Sequence, residues 1–120
     1  MTQRTDRVAE EFREILAEEV QRLKDPRIGF VTLTGVEVTP DLRKARIFYT
    51  VLGNEKEGRA TAAGLRSATP HLRQAVGRQV RLKVTPELEF RVDEGMERSR
   101  RIDEIIERIH HEEDGDDDGS

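Results

Sequence analysis

The sequence predicts an α+β fold: one three-stranded sheet with helices on one face, and a further helix at the C-terminal end. Two observations carry this. Apolar residues recur at three- and four-residue spacing in some stretches and alternate in others, which are the periods of helix and strand. Only 34% of the 120 residues are hydrophobic and 38% are charged. Adding the 9 glycines brings the apolar share to about 41%, below the usual ~45–50%. The length suits one domain with one core, and the low apolar share suits a thin one.

Thr5 and Asp6 are placed to cap a first helix. Val8, Phe12, Ile15, Leu16, Val20 and Leu23 form its apolar stripe, with Glu10, Glu11, Glu14, Glu18 and Glu19 mostly outside. Pro26 ends it, because Asp25 before a proline is pushed out of helical geometry. Its acidic exposed side makes this helix a poor nucleic-acid face. Phe30 to Thr39 alternates, and its phase changes at Gly35, as a bulge or bend requires. Thr39-Pro40-Asp41 is a turn signal. Lys44 to Leu52 alternates again, completing a hairpin. The aromatic residues Phe12, Phe30, Phe48, Tyr49 and Phe90 sit mostly among core positions.

A loop bracketed by Gly53 and Gly58 follows. From Arg59 to Val80 the spacing is helical, with Leu65, Ala68, Leu72 and Val76 on one side. Pro70 interrupts it. Because proline is well tolerated at a first helical position and Thr69 can cap, the run reads as two helices meeting at a bend, Ala68-Thr69-Pro70. Arg81 to Val92 alternates around Pro86, as an edge or bulged strand would. A last helix starts near Glu94, with Met96, Ile102, Ile105, Ile106 and Ile109 on its apolar side. The expected division is a domain over 1–93, a helix over 94–109 and a disordered acidic tail over 110–120. This element order is that of the K-homology fold in its bacterial, type II form.

Charge is unevenly placed. The net charge is −4, but the last eleven residues hold six acids and no Lys or Arg. From Gly58 to Pro86 there are six cations, Arg59, Arg66, Arg73, Arg78, Arg81 and Lys83, and no acid. A one-sign segment inside a balanced domain fits a polyanion better than it fits a merely solvated face. Arg66 and Arg73 flank the expected bend and are the first candidates. Arg59, Arg66 and Arg73, seven apart, make one stripe if the two helices stay in line.

A second cluster, Arg43, Lys44 and Arg46, reads equally as a solubilised edge strand or as a secondary RNA contact. Lys24 and Arg27, the other possible secondary contacts, flank the first helix's end, where cations complement the helix dipole. With few exposed rings expected for stacking on bases, recognition should be of RNA shape and backbone. The acidic tail has three readings: an inert solubiliser, a self-mimic of RNA, or a protein contact.

Other classes are disfavoured. There is no cysteine, which excludes disulfides, thiolate catalysis and cysteine-ligated metals. No apolar run approaches about 18 residues, and the charged N-terminal stretch is not a secretory signal, so a cytoplasmic protein without membrane contact is expected. His71, His110 and His111 form no spaced ligand set, and no GxSxG, Walker or GxGxxG pattern occurs. No metal, no cofactor and no catalytic residue is expected.

Lys24-Asp25-Pro26-Arg27-Ile28-Gly29, Val36-Glu37-Val38-Thr39-Pro40-Asp41-Leu42, Ala45-Arg46-Ile47-Phe48-Tyr49 and Leu82-Lys83-Val84-Thr85-Pro86-Glu87-Leu88-Glu89-Phe90 resemble the ribosome-binding factor A family. Arg101-Ile102-Asp103-Glu104-Ile105-Ile106 is similar to its C-terminal helix. The resemblance implies a K-homology-like fold and a non-catalytic assembly factor. Such a factor binds the free small (30S) ribosomal subunit and assists late 16S rRNA maturation, including 5′-end processing, with a link to growth in the cold. It also implies a helix–kink–helix in which Ala68, Thr69 and Pro70 take the kink positions and bind RNA together with the six cations of 58–86, proline standing where the family usually has glycine. The expected partners are the 30S subunit and 16S rRNA, bound by a monomer. The alternatives are a ribosome-associated stress factor acting on mature subunits and a protein-interaction adaptor using the acidic first helix and the apolar last one.

Overall fold

The computed structural model describes the backbone of residues 3–118, and their side chains apart from those of 100, 101 and 111–118. The elements are α1 (Gln3–Arg22), β1 (Phe30–Val38), β2 (Lys44–Leu52), α2 (Glu55–Gln79), β3 (Glu87–Val92) and α3 (Glu94–Asp118). The sheet order is β1-β2-β3, with β1 and β2 antiparallel and β2 and β3 parallel. This is the expected α+β architecture.

Alternation in β2 decides which face is covered. Ala45, Ile47, Tyr49 and Val51 are buried while the residues between them are half-exposed or exposed. Phe12, Leu16, Ile47, Leu65, Leu72 and Val76 are buried almost completely and form the centre of the core between the helices and the sheet. α1 packs on β1 and α2, and α2 also packs on β2 and β3. The opposite face of the sheet is open. Phe30, expected in the core with most of the aromatics, is instead 81% exposed. It pairs with Leu52 on the open face, in phase with Thr32 and Thr50.

The register between β1 and β2 shifts between Leu33 and Gly35, where the sequence changes phase. The extra residue is Thr34. Its hydroxyl donates to the Asp93 carboxylate (2.7 Å), which also accepts the Met96 N–H (3.1 Å) at the start of α3. The Thr34 hydrogen bond, reinforced by the Met96 and Gly95 N–H groups, holds the Asp93 carboxyl below its ordinary value of 3.8. A carboxyl depressed by folding stabilises fully above its unfolded value and loses that contribution as pH falls. Thr34→Val is therefore expected to lower the urea midpoint near neutral pH. Its difference from the parent should shrink as pH drops below about 4. A difference that is constant with pH would show that the Asp93 charge plays no part.

Local chemistry departs from the expected boundaries at the starts of α1 and α2 and in the middle of α2. α1 already includes Gln3, so Thr5 is a buried residue inside the helix and does not cap it. α2 begins at Glu55, inside the expected glycine-bracketed loop. Asn54 caps it by accepting the Glu57 N–H (2.9 Å). α2 then runs unbroken to Gln79 with Pro70 inside it, where two helices were expected. Thr69 does not cap a second helix. Its hydroxyl donates back to the Leu65 carbonyl (2.8 Å), and Leu65, Leu72, Ala75 and Val76 stay in phase on the core side. Burial of that continuous stripe outweighs the hydrogen bond that an interior proline forfeits.

β3 is shorter than the alternation implied. Strand pairing starts at Glu87, and 81–86 form no strand. The reason is Pro86, which is wholly buried and offers no N–H to a ladder. α3 runs past the expected boundary at Ile109 to Asp118, so most of the tail expected to be disordered is helical. A helix stop inferred from the loss of a buried face does not apply here, because Ile102, Ile105, Ile106 and Ile109 are themselves about half exposed.

The Lys24–Gly29 connection is latched onto α2. Asp25 accepts the Arg27 backbone N–H (2.9 Å) and two guanidinium nitrogens (3.0 and 2.7 Å). The Thr61 hydroxyl accepts from the Gly29 N–H (3.1 Å) and lies 3.4 Å from the Arg27 carbonyl, to which it donates. Ile28 lies against Gly64, where a Cβ would stand only 2.5 Å from Ile28 Cγ1.

Candidate nucleic-acid interface

At 100° per residue, Arg59, Arg66 and Arg73 fall within about 40° of one another on α2. The stripe expected from their seven-residue spacing thus survives, carried by one helix. It lies toward β3: Arg66, Thr69 and Pro70 line a cleft whose other wall is Leu88, Glu89 and Phe90, with Tyr49 at its base. Burial pushes the Tyr49 phenol up, and the Arg66 guanidinium beside it pulls it the other way. Tyr49 and Phe90 meet edge to face with ring centroids 6.5 Å apart.

A second, shallower depression adjoins Pro70 and is lined by Arg73, Gln74, Gly77, Arg78 and Thr85. Arg78 leaves the helix about 140° around from Arg73, and its long side chain still reaches this depression. Arg81 and Lys83 follow in the 80–86 connection, both exposed.

The nine positions expected to bind RNA therefore have different roles. Arg66, Arg78, Arg81 and Lys83 are exposed and have no carboxylate partner among the described residues. Arg59 is exposed and stands 4.0 Å from Glu55 one turn earlier, a solvated contact of little energetic weight. Pro70 is exposed between the two depressions. Ala68 packs partly buried against the core, and Thr69 is committed to Leu65. Arg73 donates through Nε to the Pro86 carbonyl (3.2 Å) and through a terminal nitrogen to the Thr85 carbonyl (2.6 Å). Its charge has no carboxylate partner among the described residues, but two of its five donors are used inside the protein.

The five possible secondary contacts do not join this face as a group. Lys44 and Arg46 point to the open side of the sheet, where acids match them. Arg46 is in register with Glu37 on one strand and Glu89 on the other. Lys44 Nζ lies 2.8 Å from Glu89, and Arg91 lies 2.6 Å from it. The Lys44 hydrogen bond, then the Arg91 one, hold the Glu89 carboxyl below its ordinary range. Arg43 is exposed in the hairpin turn, where its N–H donates to Asp41 (3.1 Å). Lys24 is exposed. Arg27 is clamped by Asp25, a local ion pair where the sequence suggested only complementarity to the helix dipole.

The sequence reading missed Gln74 and the Thr85 and Pro86 carbonyls. Gln74 follows Arg73 directly on an exposed helix face, which is a usable signal. The carbonyls have none, because their role depends on where the chain returns after α2. His71 lies 3.9 Å from Glu19 of α1, on the far side of α2 from the cleft. Among the described residues no group of three metal-ligating side chains is found, and no helix is long and apolar enough to cross a membrane.

Comparison with known proteins now decides the family. The family model for ribosome-binding factor A matches residues 4–106. The chain belongs to this family. It is 46% identical over 118 residues to ribosome-binding factor A of Geobacter sulfurreducens, covering 98% of this chain and 100% of that one. It is 41% identical over 115 residues to the Halothermothrix orenii protein, covering 95% and 94%. The crystal structure of ribosome-binding factor A from Thermus thermophilus superposes with a TM-score of 0.66 at 27% identity, over 73% of this chain and 94% of that one. A homology model of the Thermus thermophilus factor, fitted into a cryo-EM map of its complex with the 30S subunit, matches with a TM-score of 0.58 at 29% identity, over 69% and 88%. The fold is thus the K-homology-like one shared by these proteins. Asp25, Ile28 and Gly29, part of the first stretch that carried the resemblance, serve to dock the α1–β1 connection on α2.

Proposed function

We propose that this chain is a non-catalytic assembly factor that binds the free 30S subunit in the cytoplasm, as a monomer, and assists late 16S rRNA maturation, including that of the 5′ end. The observation that carries the reading is the cationic side of α2 and the connection after it, where Arg66, Arg78, Arg81 and Lys83 stand without carboxylate partners among the described residues. Membership in the family and the 30S complex of the Thermus thermophilus relative support it.

Each guanidinium set against an rRNA phosphate displaces a condensed counterion, so affinity comes largely from backbone contact. A face that fits one rRNA arrangement better than another shifts the population toward it. That is a mechanism of holding and release, with no bond made or broken. Charge reversal at Arg66 and Arg81 together is expected to weaken 30S binding on the order of tenfold or more. It should also flatten the salt dependence by about 0.7–0.9 for each phosphate that is no longer neutralised. Cosedimentation with precursor subunits across a salt series reads both. Undiminished binding by the double variant removes α2 as the contact. Preference for mature over precursor subunits would favour the stress-factor reading instead.

A further inference from the structure

The chain leaves α2 at Gln79 and enters β3 at Glu87, so the connection between them must turn back beside the helix. Its ends are held in the core: Val80 is buried, Leu82 packs against the core cluster, and Pro86 is wholly buried. The stretch between carries Arg81 and Lys83 outward. Arg73 reaches across from α2 to two successive carbonyls of this stretch, Pro86 (3.2 Å) and Thr85 (2.6 Å). Gly77, one turn further on, makes the approach possible. A Cβ there would stand 2.9 Å from Thr85 Oγ1, so with threonine at 85 a larger residue at 77 must displace that hydroxyl.

We infer that Arg73 is a positioning residue, which holds the 81–86 connection against α2 so that Arg81 and Lys83 extend the cationic surface of α2 beyond Arg78. This rests on the functional reading above, in which that surface meets rRNA backbone. It also reassigns the arginine that sequence alone made a first candidate for phosphate contact. The planar fork of a guanidinium meets two neighbouring carbonyls at once, which a lysine ammonium on its flexible stem does not reproduce. Carbonyl oxygens need these donors because they lie beside a helix whose own N–H groups are already used. Cations on a loosened connection would each have to be ordered on binding, and that entropy opposes association.

Arg73→Lys keeps the charge and removes the fork, so it separates positioning from direct contact. It is expected to weaken 30S cosedimentation by about tenfold, close to the loss in Arg73→Ala, and to speed amide exchange over 81–86. The chain has no cysteine, and an ideal Cβ at position 77 lies 3.8 Å from the Thr85 Cβ, the usual span across a disulfide. Gly77→Cys with Thr85→Cys, placed in the Arg73→Lys background, supplies a covalent substitute for the latch. The oxidised form is expected to recover the parent's binding and the reduced form not.

Parent-like binding or unchanged exchange in Arg73→Lys overturns the inference. So does an oxidised cross-link that slows exchange over 81–86 but leaves binding weak, because Arg73 would then touch the RNA itself. If the parent fails to bind 30S subunits, the functional reading falls, while the exchange measurement still decides whether Arg73 holds the connection.

Discussion

Phe12→Ala is expected to lower the unfolding free energy by about 3–5 kcal/mol, and Phe30→Ala to change it by no more than about 0.5 kcal/mol. The two residues are chemically identical and differ in surroundings. Phe12 is 1% exposed in the middle of the α1 stripe, among Leu16, Ile47 and Leu72 in one continuous core. Removing its ring forfeits the transfer of that apolar surface and leaves a void that close-packed neighbours fill only in part. Phe30 opens β1 on the uncovered face of the sheet, so its loss removes little that folding had taken from water. A domain of this size has about 5–15 kcal/mol in total, and about 4–8 °C of melting temperature accompanies each kcal/mol. Phe12→Ala should therefore melt about 12 °C or more below the parent while Phe30→Ala melts with it. Equal losses in the two variants would mean that the open face is covered in solution.

That contrast also marks where the sequence stops being informative. The stripe Val8-Phe12-Leu16-Val20 and the alternation of Ala45, Ile47, Tyr49 and Val51 were legible because burial repeats at the period of the backbone. The change of phase at Gly35 was legible as well, and the register shift sits there. Phe30 was not, since alternation assigns a residue to one of two faces and does not say which face is covered. Pro70 misled for a related reason. Local chemistry favours starting a helix at Thr69-Pro70, and the structure keeps one helix because its apolar side continues across both residues. Asn54 and Glu57 carried a readable start signal, a capping side chain followed three residues later by glutamate. It was masked by the flanking glycines.

The candidate site divides along the same line. Its basic character is written in the acid-free stretch 58–86, and the common side of Arg59, Arg66 and Arg73 follows from spacing alone. What spacing cannot give is partnership. Arg73 meets carbonyls twelve and thirteen residues away. Lys44 meets Glu89, and Arg46 stands opposite it, only because β3 lies parallel beside β2 in one register. Both are products of tertiary closure, and they separate cations that are free to meet a partner from those already engaged.

Gly64→Ala shows how a helix position can defy helix propensity. In an exposed helix interior the change should stabilise by roughly 1 kcal/mol. Here it is expected to destabilise by a net of about 1–3 kcal/mol, because the new methyl would sit 2.5 Å from Ile28 Cγ1 and 3.2 Å from its Cδ1. Cγ1 sits at the root of the side chain, so relief takes either an unfavourable χ1 rotamer or a shift of the 24–29 connection, which the Gly29 N–H ties to Thr61 of α2. The size of Ile28 is then what the glycine accommodates, and shortening it should reverse the sign. Ile28→Ala alone is expected to cost stability as a partly buried truncation. Adding Gly64→Ala to it should cost nothing further or restore part of the loss. A double-mutant cycle by urea denaturation measures this directly, with a coupling of about 1–3 kcal/mol expected. Strict additivity would mean that the connection and the helix do not touch at this point, and the latch formed by Thr61 would lose its steric half.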